Sequence, residues 1–196
     1  MRYFIPALCL ALLGTTAQAN SLAPTPEPGL WQATTKSIVN GKDVLEDMLK
    51  LQEDIIARQP AEHQAMMRET LMQEDPRTSR FCVSREDAIM FTQPAALLYE
   101  ADSEEFAHCN KPDISSERSK STFKTSCDHT DNGFSGELSG EKHIISPKKI
   151  TTTVRGTGVV RFDMSAMGGT GITEEPLESH QTQEFVWVAS DCADTL

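Results

Sequence analysis

Apolar and polar residues along this chain repeat with two different periods, and the places where the period changes mark out its elements. Residues 3–13 (YFIPALCLALL) form one apolar run, led by Arg2 and followed by small residues up to Ala17-Gln18-Ala19. That order predicts a secretory signal peptide over residues 1–19, cleaved after Ala19, with Cys9 leaving in it. The run is about half of the roughly 20 apolar residues that a membrane-crossing helix needs. Three prolines then fall within Ser21 to Pro28 (SLAPTPEP), which predicts a flexible lead-in over residues 20–28.

Leu30 to Val39 (LWQATTKSIV) is rich in β-branched and aromatic residues and reads as a first strand, broken by Asn40-Gly41. From Asp43 to Gln59 the period lengthens: Leu45, Met48, Leu49, Ile55 and Ile56 recur at helical spacing, with charges on the other faces. Pro60 suits the first turn of a second helix, carrying Ala61, Ala65, Met66, Leu71 and Met72 and stopped by Asp75-Pro76. The helical segment therefore covers residues 43–73. A short apolar piece at Phe81 to Val83 precedes Ser84, which with Asp87 three residues on predicts a capped third helix ending near Phe91.

Beyond Glu105 the texture is β. Phe106 to Ile114 and Ser121 to Thr130 pair as a hairpin centred near Arg118, and Asn132-Gly133 predicts a two-residue turn into Phe134 to Ile145. In that arrangement Phe123, Thr125 and Cys127 share an apolar face with Leu138, while Lys124, Asp128, Glu137 and Glu141 are wet. Pro147 turns the chain into the β-branched strand Lys149 to Thr157. Gly158 to Ser179, with its glycines and Glu-Glu-Pro, reads as a mobile loop or insertion. Gln181 to Ser190 is a last strand with Phe185, Trp187 and Ala189 on one side.

Cysteine placement adds a covalent frame to this order. Four cysteines lie outside the leader, and an even number in an exported chain reads as two disulfides. The hairpin centred near Arg118 sets Cys109 opposite Cys127, within disulfide reach, which leaves Cys82 to pair with Cys192. The net charge of −11 arises from 18 basic and 29 acidic residues. It argues against nucleic acid and against electrostatic docking on anionic membranes.

Pro28-Gly29-Leu30-Trp31 after the leader, a helical insertion, FCVSREDA around Cys82, two strand cysteines, and a final strand with Trp187, Asp191 and Cys192 together resemble a bacterial family. The similarity is to the exported domain-of-unknown-function family three-six-one-seven. It implies export and a compact, disulfide-bonded, mainly β domain. It carries over no activity, ligand or catalytic residue.

Candidate chemistry is sparse. His108, Cys109, Cys127 and His129 resemble a zinc set, but opposed cysteines in an oxidising compartment are expected to form a disulfide. Met66, Met67, Met72 and Met90 with His63, and Met164 and Met167, are core filler by spacing, with copper or a pliable apolar surface as the sharper readings. Gly133 to Glu137 lacks the second glycine of a nucleophile elbow. Gly168 to Gly171 lacks the lysine of a phosphate loop. Asp128 to Ser139 lacks the closing Glu of a calcium loop. The acidic clusters Asp102 to Glu105 and Glu174 to Glu178 read as solvated surface.

The expectation is an α+β fold: a single domain over residues 29–196, with an antiparallel sheet of roughly six to eight strands curled into an open or nearly closed barrel and the helical insertion laid against it. No catalytic residue, cofactor or metal is expected, and Pro28, Gly29, Trp31, Trp187 and Asp191 form a structural motif. The leading function is a non-enzymatic periplasmic or secreted domain that binds an apolar small molecule or lipid in the curl of the sheet, or contacts another envelope protein. A copper- or zinc-binding protein and an enzyme with an unrecognised site are the alternatives.

Overall fold

The computed structural model describes residues 21–73, 75–98, 108–128, 133–163 and 172–192. Its frame is one antiparallel sheet of eight strands: β1 (Gly29–Val39), β2 (Lys42–Asp43), β3 (Thr78–Val83), β4 (Asp113–Glu117), β5 (Lys120–Cys127), β6 (Gly133–Ser146), β7 (Lys149–Asp163) and β8 (Ile172–Ala189). The order across the sheet is β2-β1-β8-β7-β6-β5-β4, with β3 on the same side of β1 as β2. The sheet is open, because β4 never meets β2 or β3. The first and last strands are direct neighbours, and Trp31 lies opposite both Trp187 and Phe81.

Strand alternation sends successive side chains to opposite faces, and most of the buried apolar residues gather on one, the inner face. Inner positions of β1, β6, β7 and β8 supply Trp31, Ile144, Ile150 and Phe185. Phe81 and Phe185 meet edge to face, with centroids 6.1 Å apart. Trp31 and Ile144 are each 1 % exposed. The short helix α3 (Arg85–Phe91) adds Ala88 to this core, beside Val83 and Leu22. Its start is the predicted capping box: the Asp87 amide donates to Ser84 Oγ at 3.1 Å and the Ser84 amide to Asp87 Oδ2 at 3.0 Å. A 3₁₀ turn at Pro94–Leu98 follows and packs on β4, β5 and β6.

The helical insertion is present as α1 (Val44–Ala57), capped by Asp43, and α2 (Ala61–Gln73). Its main contacts with the sheet are those of α1 with β1 and β2. Ile56 is buried, while Val44, Met48, Leu51 and Ile55 stay exposed along α1. No helix among the described residues is long and apolar enough to cross a membrane.

Three expectations change. The segment 21–28 is seated rather than a loose lead-in: Leu22 is buried, its amide donates to the Thr92 carbonyl at 2.7 Å, and the Glu27 amide donates to the Pro147 carbonyl at 2.7 Å. Much of 158–179 is strand rather than mobile loop, since β7 and β8 stay paired out to Asp163↔Ile172; residues 164–171 lie outside the described set. The β5–β6 register places Leu138 opposite Thr125, whereas a two-residue Asn132-Gly133 loop would place it opposite Cys127. The offset is even, so the predicted face assignment survives. The hairpin of β4 and β5 turns at Arg118 and Ser119, close to the predicted centre.

Candidate functional site

Register alone writes a polar row across the inner face. Ser121 on β5 lies opposite Lys142 on β6, Lys142 opposite Thr152 on β7, Thr152 opposite Gln183 on β8, and Gln183 opposite Thr35 on β1. Two residues along each strand, the same path reads Ile144, Ile150, Phe185 and Ala33. A belt of hydrogen-bonding groups thus runs beside an apolar one. Thr152 Oγ1 donates to Gln183 Oε1 at 3.3 Å, and Gln183 Nε2 donates to Thr35 Oγ1 at 3.4 Å.

Where the two belts meet α3 the sheet leaves a cavity of about 450 Å³. Its lining is mostly apolar, with Trp31, Phe81, Phe91, Ile150, Val154 and Phe185, and its polar groups come from Lys142, Thr152, Gln181, Gln183 and Ser79. The volume lies within the roughly 300 to 1,000 Å³ of ordinary small-molecule sites, and few polar groups in an apolar wall is their usual composition.

Lys142 is the exceptional member. It is 3 % exposed, and its Nζ donates to the Phe91 carbonyl at 2.7 Å and to the Gln93 carbonyl at 3.1 Å. These oxygens belong to the end of α3 and the residues after it, so the ammonium caps a helix C-terminus from a neighbouring strand. No carboxylate among the described residues pairs with it, and burial pulls its pKa from 10.5 down to about 8. The charged pairs Lys120–Glu141 and Lys149–Glu184, at 2.8 and 2.7 Å, sit at outward positions of the flanking strands.

The residues singled out by sequence fall into two groups. Cys82 and Cys192 are joined, with Cα atoms 5.6 Å apart, and Cys109 and Cys127 are joined, with Cα atoms 3.8 Å apart. The second bond consumes the two thiolates of the zinc alternative, so that site is overturned; His129 lies outside the described residues. Pro28, Gly29, Trp31 and Trp187 come together. Trp187 Nε1 donates to the Pro28 carbonyl at 3.1 Å, Trp31 Nε1 to the Glu27 carbonyl at 2.8 Å, and Lys148 Nζ sits 4.0 Å from the Trp187 ring centroid. Gly29 has φ +131°, and a Cβ there would run into the Ala189 carbonyl oxygen. Asp191 is exposed beside Cys192. Met66 is exposed on α2 and Met90 is on α3, while residues 102–105, 164 and 167 lie outside the described set.

Lys142, Thr152 and Gln183 were not picked out by sequence. The signal existed: Lys142 shares the parity of Leu138 and Ile144, so the predicted strand placed a charge at a core-facing position.

Neither the search of curated proteins nor that of solved structures found a match. A family model described as "Protein of unknown function (DUF3617)" matches residues 26–192, a span that includes all eight strands, both disulfides and the cavity. The chain belongs to the DUF3617 family.

Proposed function

We propose that this protein is a non-enzymatic binding domain of the cell envelope, exported by cleavage near Ala19, which holds a small apolar or lipid-like ligand on the concave face of its sheet. The observation that carries the reading is the cavity of about 450 Å³ between α3 and strands β1, β6, β7 and β8. Aromatic side chains of β1, β3, α3 and β8 line it, and the side chains of the sheet itself leave it unfilled. Two disulfides agree with the oxidising compartment that such a protein would meet outside the cytoplasm.

The cavity can be closed from within. Val154 lines it at a half-buried inner position of β7, so Val154→Phe should project a ring into the space while keeping strand propensity. Gentle purification followed by native mass spectrometry should show a small molecule retained by the wild-type chain and lost from this variant at an unchanged circular dichroism spectrum. Equal retention by both proteins, or a wild-type chain that neither carries nor takes up any apolar compound, would count against the cavity as the site.

A further inference from the structure

We infer that the cavity takes a single-chain amphiphile with one carboxylate, its head meeting Lys142 Nζ and its alkyl tail lying along Ile150, Phe185 and Phe81. This rests on the reading of the cavity as a ligand site and adds the chemistry of the ligand's head.

An ammonium has three N–H donors. The Phe91 and Gln93 carbonyls take two of them, at 2.7 and 3.1 Å. One donor remains, on a side chain that lines the cavity. Two neutral carbonyls stabilise the ammonium without cancelling its charge, and a buried charge without a counterion is costly. Every other described side chain lining the cavity is neutral at all ordinary pH values. Among the described residues, the charged groups of the surrounding elements do not face it. Lys120 on β5, Glu141 on β6, Lys149 and Arg155 on β7, and His180 and Glu184 on β8 occupy outward positions by alternation, and Arg85, Glu86 and Asp87 of α3 are exposed or point to its cap.

Charge balance then selects the head. A monoanion neutralises the site one for one, a dianion leaves one charge uncompensated, a neutral alcohol leaves the ammonium alone, and a cation doubles the cost. A carboxylate also has a second oxygen to offer to the amide of Gln181, which lines the same cavity. Shape selects the tail. From β6 to β1 is three strand spacings, roughly 14 Å along the sheet, the scale of a medium-length alkyl chain, and the wall along that path is Ile150, Phe185 and Phe81. The overall charge of −11 does not oppose this, because exposed charges more than about 8 Å away are screened at physiological salt whereas a buried contact is not.

The experiment is calorimetric titration of the full chain at neutral pH with decanoate, decanol and decyltrimethylammonium, each below its aggregation limit. The expected result is decanoate bound one to one and about tenfold or more tighter than decanol, the value of one charge-assisted hydrogen bond, with decyltrimethylammonium weakest. Lys142→Met should bring decanoate down to the level of decanol, abolishing the preference for the carboxylate. Equal affinities of wild-type protein for decanoate and decanol would overturn the carboxylate assignment and leave the cavity reading in place. Failure of all three to bind would overturn both. The wild-type ranking decides the matter even if Lys142→Met does not fold.

Discussion

A lysine at a core-facing position of a strand is expensive, and the cost is set by pH. Lys142 in the folded chain releases its proton near pH 8, whereas in the unfolded chain it does so near 10.5. Below pH 8 both states hold the proton, and the folded state bears the full burden of a desolvated ammonium. Between pH 8 and 10.5 the unfolded chain binds more protons than the folded one, so stability rises with pH and the gain is complete above 10.5. The gap corresponds to roughly 3 kcal/mol. Urea unfolding of wild type and Lys142→Met at pH 7 and pH 10 should therefore give curves that diverge, wild type gaining up to that amount relative to the variant. Parallel curves would mean that Lys142 is solvated in the native state. A bound carboxylate should act in the opposite sense, holding the proton on Lys142 and concentrating its stabilising effect at neutral pH.

Among the elements, legibility followed the reach of the signal. The capping box of α3, the β-branched first strand and the helical spacing of α1 are local patterns, and all three appear as read. The β7–β8 extension was hidden by composition, because Gly158 and Pro176 look like loop residues. Pro176 is tolerated since β8 pairs with β1 only from Ser179 onward, so at Pro176 one edge of the strand is free and needs no amide donor. Asn40 closes that edge instead, its Nδ2 donating to the Pro176 carbonyl at 2.9 Å and its Oδ1 accepting from the Glu178 amide at 2.8 Å. The segment 21–28 was misread for a similar reason: three prolines signal a linker, while the seat of Leu22 beside Thr92 is about seventy residues away and leaves no local trace. The cavity was equally beyond local patterns, because Lys142, Thr152 and Gln183 meet only through strand register. The helical insertion gives a direct contrast on one helix. Ile56 is 4 % exposed and Leu51 is 60 % exposed. Ile56→Ala should cost about 2 to 5 kcal/mol and Leu51→Gln no more than about 0.5 kcal/mol, read from chemical unfolding; comparable losses would show that the exposed stripe of α1 is covered in solution.

For the molecule as a whole, the two disulfides do different work, and topology says which matters more. Cys82 lies on β3 directly opposite Leu30, and Cys192 follows β8, whose Ala189 is the other neighbour of Leu30. The Cys82–Cys192 bond therefore straddles the start of β1 and locks the strands that carry Phe81, Trp31 and Phe185 into one unit. Those side chains are walls of the cavity. The Cys109–Cys127 bond instead ties the far end of β5 to the segment before β4, away from the cavity lining. Chain entropy points the same way: closing a loop of 110 residues is worth roughly 4.7 kcal/mol and one of 18 roughly 3 kcal/mol. Replacing Cys82 and Cys192 by serine should thus lower stability by the larger amount and also weaken uptake of an apolar ligand, with a red shift of tryptophan emission as Trp31 and Trp187 gain water. Replacing Cys109 and Cys127 should cost less and leave both emission and ligand affinity near the wild-type values. If the short bridge proved as costly to ligand binding as the long one, the cavity would depend on the β4–β5 edge, and the site would have to be redrawn toward that side of the sheet.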